Sequence, residues 1–174
     1  MKKIILIVGP SGVGKDTLIR CAKKELSEND NYHFINRYIT RKADENEENY
    51  FVEEDAFHLL EKNDFFISSW NAHKNFYGIA KNNILEGINI ISISRDYIKD
   101  FEEYYDDVTT IQVTLPKEIL LSRLRERKRE TEEQIMLRLK RAYTNIRAKK
   151  LVTFDNKEKI TKSSKEFISL LKKC

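Results

Sequence analysis

A chain of 174 residues with 32 Lys and Arg against 28 Asp and Glu, a net charge of +4, is one domain's worth of sequence. Hydrophobic residues at 40% are enough for a real core, and charges at 34% are mixed in sign, which excludes a disordered acidic or basic tail. A surplus of four is a thin basis for nucleic-acid binding and suits phosphorylated small molecules equally well, so no nucleic-acid partner is expected.

The first element is Lys3–Val8, a β-branched and aliphatic run of the kind expected for a strand buried on both faces. Its core, Ile4 to Val8, is too short to span a bilayer, lies close to Met1 and lacks a small-residue cleavage site. No membrane partner follows, and a cytoplasmic location is expected. Lys15–Ser27 predicts a helix, and Phe34–Ile39 a second strand. The stretch from Arg37 to Asn83 then breaks the rhythm, being polar, aromatic and irregular, and is read as an inserted substrate lobe. Asn89–Ser94 and Thr109–Leu115 predict two further strands. Pro116 opens a helix at its first turn, where a missing N–H costs nothing. Thr131 with Gln134 forms a capping-box pattern, followed by Ile135, Leu139, Ala142 and Ile146 on one helical face. Leu151–Phe154 is a short last strand, and Ser164–Lys172 a closing helix with Phe167, Ile168 and Leu171 inward. Strands alternating with helices predict a parallel α/β sheet. With no linker or repeat, the chain reads as one domain: a core of 1–36 and 84–174, a lobe of about 37–83 and a lid of about 125–132.

Three of the five glycines fall in Gly9-Pro10-Ser11-Gly12-Val13-Gly14-Lys15, directly between the first strand and the first helix. That is the context of a phosphate-binding loop: backbone N–H groups and the helix N-terminus gather around an anion. Lys15 would reach the β- and γ-phosphates. The next residue is usually Ser or Thr, whose hydroxyl binds Mg²⁺, but here it is Asp16. A carboxylate is a hard oxygen ligand for Mg²⁺, and Asp16 is the preferred candidate, with the Thr17 hydroxyl as the alternative. Downstream, Arg123, Arg125, Arg127, Lys128 and Arg129 crowd the end of one helix and Arg138 follows on the next. Alone they would be a solvated basic face; beside a phosphate loop they read as lid arginines that neutralise a moving phosphoryl group.

Arg37-Tyr38-Ile39-Thr40-Arg41 ends the second strand, where open α/β sheets place their ligands, and its arginines suit a second phosphate. Tyr50 and Tyr77 offer phenolic hydrogen bonds to it, whereas Phe65, Phe66 and Trp70 read as lobe core. His33, His58 and His73 share no metal-ligand spacing, and of these only His73 sits on the lobe's substrate side. Cys21 and Cys174 read as reduced thiols.

Together, Gly9–Thr17, Thr40-Arg41, Glu48-Asn49-Tyr50-Phe51-Val52, Asn75-Phe76-Tyr77-Gly78 and the Arg127…Arg138-Leu139 lid pattern resemble the guanylate kinase branch of the nucleoside-monophosphate kinases. The resemblance runs almost end to end. It implies an α/β P-loop kinase fold, a parallel sheet flanked by helices with a small substrate lobe and an arginine-rich lid. Within that branch, Gly-Pro-Ser-Gly-x-Gly-Lys-Asp with Asp16, Arg37–Arg41, Ser69-Trp70 and Ser94-Arg95 resemble the ribose 1,5-bisphosphate phosphokinases of bacterial phosphonate breakdown. That likeness implies ATP and Mg²⁺ as cofactors and transfer of the γ-phosphoryl to the 1-phosphate of ribose 1,5-bisphosphate, giving phosphoribosyl diphosphate. The partner is then a small phosphorylated substrate, acted on by a monomer or homodimer.

One check separates the two likenesses. Guanine presents N–H donors, so guanylate kinases offer carboxylates. Here those positions align with Ser68, Ser92 and Ser94, and a guanine-reading serine aligns with Arg37. A site without acceptors leaves guanine donors unpaired, which is costly. The resulting expectation gives Lys15, Arg127 and Arg138 catalytic roles and the nucleotide to Gly9–Thr17. Arg37, Arg41, Tyr50, Ser68, Tyr77, Ser94 and Arg95 are assigned to the acceptor. A guanylate kinase is the same-class alternative, and a catalytically silent kinase-like binding module the alternative from another class.

Overall fold

Ile4 to Val8 are wholly buried, and strand alternation sends Ile5 and Ile7 into one hydrophobic cluster and Ile4, Leu6 and Val8 into another. That double burial places this strand at the centre of the molecule. In the computed structural model the described residues are 1–42, 48–72, 74–126 and 131–174.

The elements run β1 (Lys2–Val8), α1 (Lys15–Leu26), β2 (Tyr32–Phe34), β3 (Tyr38–Ile39), β4 (Tyr50–Phe51), α2 (Glu54–Lys62), β5 (Phe66–Ala72) and β6 (Asn75–Ala80). Then come β7 (Gly87–Ser92), α3 (Ile98–Tyr104), β8 (Val108–Thr114), α4 (Lys117–Glu126), α5 (Glu132–Ala142), β9 (Leu151–Asp155) and α6 (Ile160–Lys173). β2, β7, β1, β8 and β9, in that order, form a parallel sheet. Helices α1 and α6 pack on the Ile5–Ile7 face through Leu18, Ala22, Phe167, Ile168 and Leu171. On the other face Phe101 of α3 joins Ile91, Ile93 and Val108.

Between β2 and β7 the chain builds a second sheet, ordered β4-β3-β6-β5 and covered by α2, where the sequence shows only irregularity. Phe57, Phe66 and Ala80 form its own small core. Its other face joins the main body, because Trp70, Tyr77 and Ile79 share a cluster with Ile91 and Ile93.

Three expectations change. Phe34–Ile39 is not one strand: the chain leaves the parallel sheet after Phe34, crosses Asn36 and Arg37, and re-enters as β3 of the second sheet. Ile146 does not lie on the face of α5, which ends at Ala142, but packs in the opposite cluster. The last helix begins at Ile160, four residues before the expected start. The capping box holds as read: the Thr131 hydroxyl accepts from Gln134 N–H at 3.3 Å and the Gln134 side chain accepts from Thr131 N–H at 3.0 Å.

Candidate active site

The loop after β1 is compact because its backbone goes where side chains cannot. Gly14 caps α1 at φ +95°, and a Cβ there would sit 2.6 Å from the Nδ2 of Asn156. That amide donates to Val13 C=O at 2.8 Å, while the Asn156 N–H donates to Thr114 C=O at 2.9 Å. Asn156 is buried just past β9, so the edge of the sheet holds the loop from behind. Val13, expected at the nucleotide, is itself buried and contributes only backbone to this contact. Lys15 curls back over the loop, its ammonium donating to Gly9 C=O at 2.7 Å and to Pro10 C=O at 3.1 Å.

The loop opens into a cleft of about 590 Å³. Of the expected nucleotide residues, Gly9, Pro10, Ser11, Gly12, Gly14, Lys15, Asp16 and Thr17 line it. So do Arg37, Arg41, Tyr77, Ser94, Arg95 and Arg138. Cations dominate its charged groups: Lys15 and five arginines against the carboxylates of Asp16 and Asp96. Arg127 and His73 lie outside the described residues.

Of the residues expected at the acceptor, two are not brought to the cleft. Ser68 is buried in β5, where its hydroxyl donates to Asp100 Oδ2 at 2.6 Å and ties the second sheet to α3. Tyr50 pairs opposite Tyr38 on the edge strand β4, its ring 5.0 Å from that of Tyr38, and borders a separate shallow hollow. Burial and the neighbouring Tyr50 phenol raise the Tyr38 pKa above its ordinary value.

The topology divides the cleft. β8 and β9, with Asn156, lie on one side of β1; β2 and β7, with the whole second sheet between them in sequence, lie on the other. On this second side the wall is aromatic. Trp70 stacks on Tyr77 at 5.6 Å and 6° and on Tyr97 at 5.5 Å and 28°, and the Arg37 guanidinium stands over the Tyr77 ring at 5.7 Å. Trp70 is thus core and cleft wall together. Arg37 also donates through Nε to Asn49 Oδ1 at 3.4 Å. The Thr40 hydroxyl accepts from Phe76 N–H at 3.0 Å, which fixes the strand end from which Arg41 projects. A smaller hollow of about 150 Å³, bordered by Asp16 and Arg37, lies among α1, the ends of β2 and β7 and the segments leading into β3 and β4, where Lys23 pairs with Glu48.

At the far end of the cleft two residues appear that the sequence reading passed over. Arg141, one turn beyond Arg138 on α5, forms an ion pair with Asp96. Arg95 donates through Nη1 to the backbone carbonyl of Arg141 at 2.7 Å and to the Thr144 hydroxyl at 3.3 Å. It thereby caps the negative end of α5 with a cation. Burial first, and then the charge of Arg141, pull the Arg95 pKa below its ordinary value, against the opposing pull of Asp96. The Tyr143 hydroxyl donates to Leu115 C=O at 2.8 Å and fixes the same helix end from the other side.

Residues 5–143 match the family model of the AAA domain. Among curated proteins, the chain is 37% identical over 145 residues to the ribose 1,5-bisphosphate phosphokinase of Thiobacillus denitrificans, covering 80% of this chain and 76% of that one. It is 33% identical over 178 residues to the enzyme of the same name from Rhizobium etli, covering 97% and 88%. Among solved structures, the guanylate kinase of Anaplasma phagocytophilum superposes with a TM-score of 0.66 at 20% identity, covering 99% of this chain and 85% of that one. The last likeness concerns the fold alone.

Proposed function

The chain belongs to the ribose 1,5-bisphosphate phosphokinase family, and we propose that it moves the γ-phosphoryl group of ATP onto the 1-phosphate of ribose 1,5-bisphosphate, releasing ADP and phosphoribosyl diphosphate. An oxygen of the acceptor phosphate attacks the γ-phosphorus in line, and the bond to the β-phosphate oxygen breaks. That acceptor oxygen is already anionic near neutral pH, so no general base is required and positioning with charge neutralisation carries the catalysis.

The loop from Gly9 to Thr17 takes the triphosphate, and Lys15 leaves the Gly9 and Pro10 carbonyls to follow the transferring group. Arg138 meets it from α5, and Arg127 belongs to the same proposal by its place in the lid sequence. Among the described residues no group of three or more His, Cys, Asp or Glu is placed to enclose a metal. The donor set fits Mg²⁺, which keeps waters and substrate phosphates and asks the protein for only one or two oxygens. Asp16 would supply one and Thr17 a second, and the ion would offset charge at the phosphates. Arg37, Arg41 and Tyr77 hold the acceptor's reacting phosphate on the β2–β7 side.

The observation that carries the choice of acceptor is the pairing of arginines with both strand ends on that side, Arg37 beyond β2 and Arg95 beyond β7. The positions aligned with guanine acceptors hold Ser92 and Ser94 at the cleft and Ser68 beneath it. The nearby carboxylates are engaged, Asp96 with Arg141 and Asp100 with Ser68. A guanine base would meet cations where it needs acceptors. The test is ADP release by purified protein with ATP and Mg²⁺, offering ribose 1,5-bisphosphate and GMP separately. Turnover with the sugar bisphosphate alone is expected; turnover with GMP would overturn the reading.

A further inference from the structure

We propose that Arg141 and Arg95 form a second phosphate subsite in the cleft, which takes the acceptor phosphate that does not react, with Asp96 as its resident counter-ion. The subsite rests on the reading of the acceptor as a bisphosphate and adds to it where the second phosphate is held.

The placement argues for the acceptor rather than the nucleotide. Arg95 and Asp96 follow β7, on the side of β1 where the second sheet is inserted, and Tyr97 beside them completes the aromatic stack that begins under Arg37. β8 and β9 lie on the other side of β1 and contribute no residue to the lining of this cleft. Arg138 and Arg141 lie three positions apart on α5 and share a helical face about 4.5 Å apart along the axis. One can meet the transferring group while the other meets a phosphate further along the cleft.

The charges argue for an anion. Two guanidinium groups stand together, one of them half-buried and desolvated, with a single carboxylate between them. That carboxylate balances one charge of two. A phosphate monoester carries about −1.5 to −2 near neutral pH and offers three acceptor oxygens, so it satisfies both guanidinium groups where Asp96 satisfies one. The Asp96–Arg141 pair is exposed on both sides, 54% for Asp96 and 65% for Arg141, and so is weak enough to exchange its carboxylate for a phosphate. Until then it keeps the guanidinium pointed along the cleft wall. The placement also explains why Arg95 binds the α5 helix end: filling the subsite draws the helix that carries Arg138 toward the acceptor.

The two ribose monophosphates separate the subsites without turnover. Ribose 5-phosphate carries only the non-reacting phosphate and ribose 1-phosphate only the reacting one. By titration calorimetry on the full chain, Arg141→Met should weaken ribose 5-phosphate binding about 10- to 100-fold and leave ribose 1-phosphate and ATP binding within twofold. The substitution keeps the backbone carbonyl that Arg95 caps, so the helix end is preserved. Asp96→Asn should act in the opposite direction, tightening ribose 5-phosphate binding about threefold by releasing Arg141, which a purely structural role for the pair would not do. Equal losses for both monophosphates, a loss confined to ATP, or unchanged ribose 5-phosphate binding in Arg141→Met would overturn the subsite. Weaker ribose 5-phosphate binding in Asp96→Asn would overturn it too. Wild-type protein that binds ribose 5-phosphate through Arg141 yet does not turn over ribose 1,5-bisphosphate would leave the subsite standing and remove the acceptor reading.

Discussion

Gly14→Ala should destabilise the protein by more than its backbone angle explains, and Asn156→Ala should relieve the excess. At φ +95° a Cβ costs about 1–2 kcal/mol on backbone grounds alone. In the native protein the new methyl would also lie 2.6 Å from Asn156 Nδ2, inside van der Waals contact, so the buried amide must shift from the position in which it bonds the Val13 carbonyl. Asn156→Ala by itself strands the buried Val13 carbonyl, which loses its 2.8 Å donor, at about 1–3 kcal/mol. At this chain length each kcal/mol moves the melting temperature by about 2–4 °C, so Asn156→Ala should lower it by roughly 2–12 °C. In the double variant the clash has gone and only the backbone angle and the stranded Val13 carbonyl remain. The double variant should therefore be less destabilised than the two single changes added together, by about 1 kcal/mol or more, within the span seen for contacting residues. Urea denaturation of the wild type, both single variants and the double variant reads the coupling directly. Strict additivity, a coupling below about 0.5 kcal/mol, would refute the claim that the sheet edge holds the loop through this contact.

Lys15→Ala should cut ADP release at least about 100-fold, because the ammonium that bonds the Gly9 and Pro10 carbonyls at the edge of an open cleft is the cation placed to follow the transferring group. Near-normal turnover would remove the phosphate-loop assignment. Ser68→Ala should lower stability by about 1.5–3 kcal/mol through the lost bond to the Asp100 carboxylate, and leave the acceptor KM within twofold. A large KM effect with unchanged stability would instead return Ser68 to the acceptor site. At the start of α5, hydrogen bonding from Arg125 holds the Glu132 carboxyl below its usual range. A depressed carboxylate contributes above its unfolded pKa and loses that contribution as pH falls through the folded value. A small difference in melting temperature between wild type and Glu132→Gln at pH 7 should therefore shrink as pH falls below the ordinary carboxylate pKa near 4.3 and be gone below the lowered folded value, and a difference that does not shrink with acid would contradict the ion pair.

The parts legible in sequence are those where local chemistry and tertiary structure ask for the same residue. A strand buried on both faces is written as an unbroken aliphatic run, and a loop needing positive φ beside an anion is written in glycine, so β1 and Gly9–Lys15 were readable from composition and order. The second sheet was not. Its strands β3 and β4 are two residues each and too short for any alternation to register, and their pairing is fixed by partners far along the chain. Ser68 shows the limit of alignment: its position was readable and its direction was not, because the strand's alternation turns its hydroxyl toward Asp100, 32 residues away, and not toward the cleft. Asn156 carried a weaker signal, a polar residue just past a strand end with nothing local to bond, and that signal acquires meaning only when β9 comes to lie beside β8 and behind the loop.

Arg141 was hidden for a different reason. On an amphipathic helix an arginine beside Lys140 reads as solvent face, and its i−3 relation to Arg138 is visible only to a reader who already knows which side of the helix meets the cleft. What singles it out is Arg95, which reaches across 46 positions to the carbonyl of Arg141 and fixes both cations at one end of the cleft. Burying the Arg95 cation, and then holding it beside Arg141, costs energy, as the lowered pKa of Arg95 records. That cost is recovered when a dianion arrives, and a neutral or donor-rich base such as guanine recovers none of it. The arrangement that places these arginines therefore discriminates between acceptors before any contact with the sugar is made.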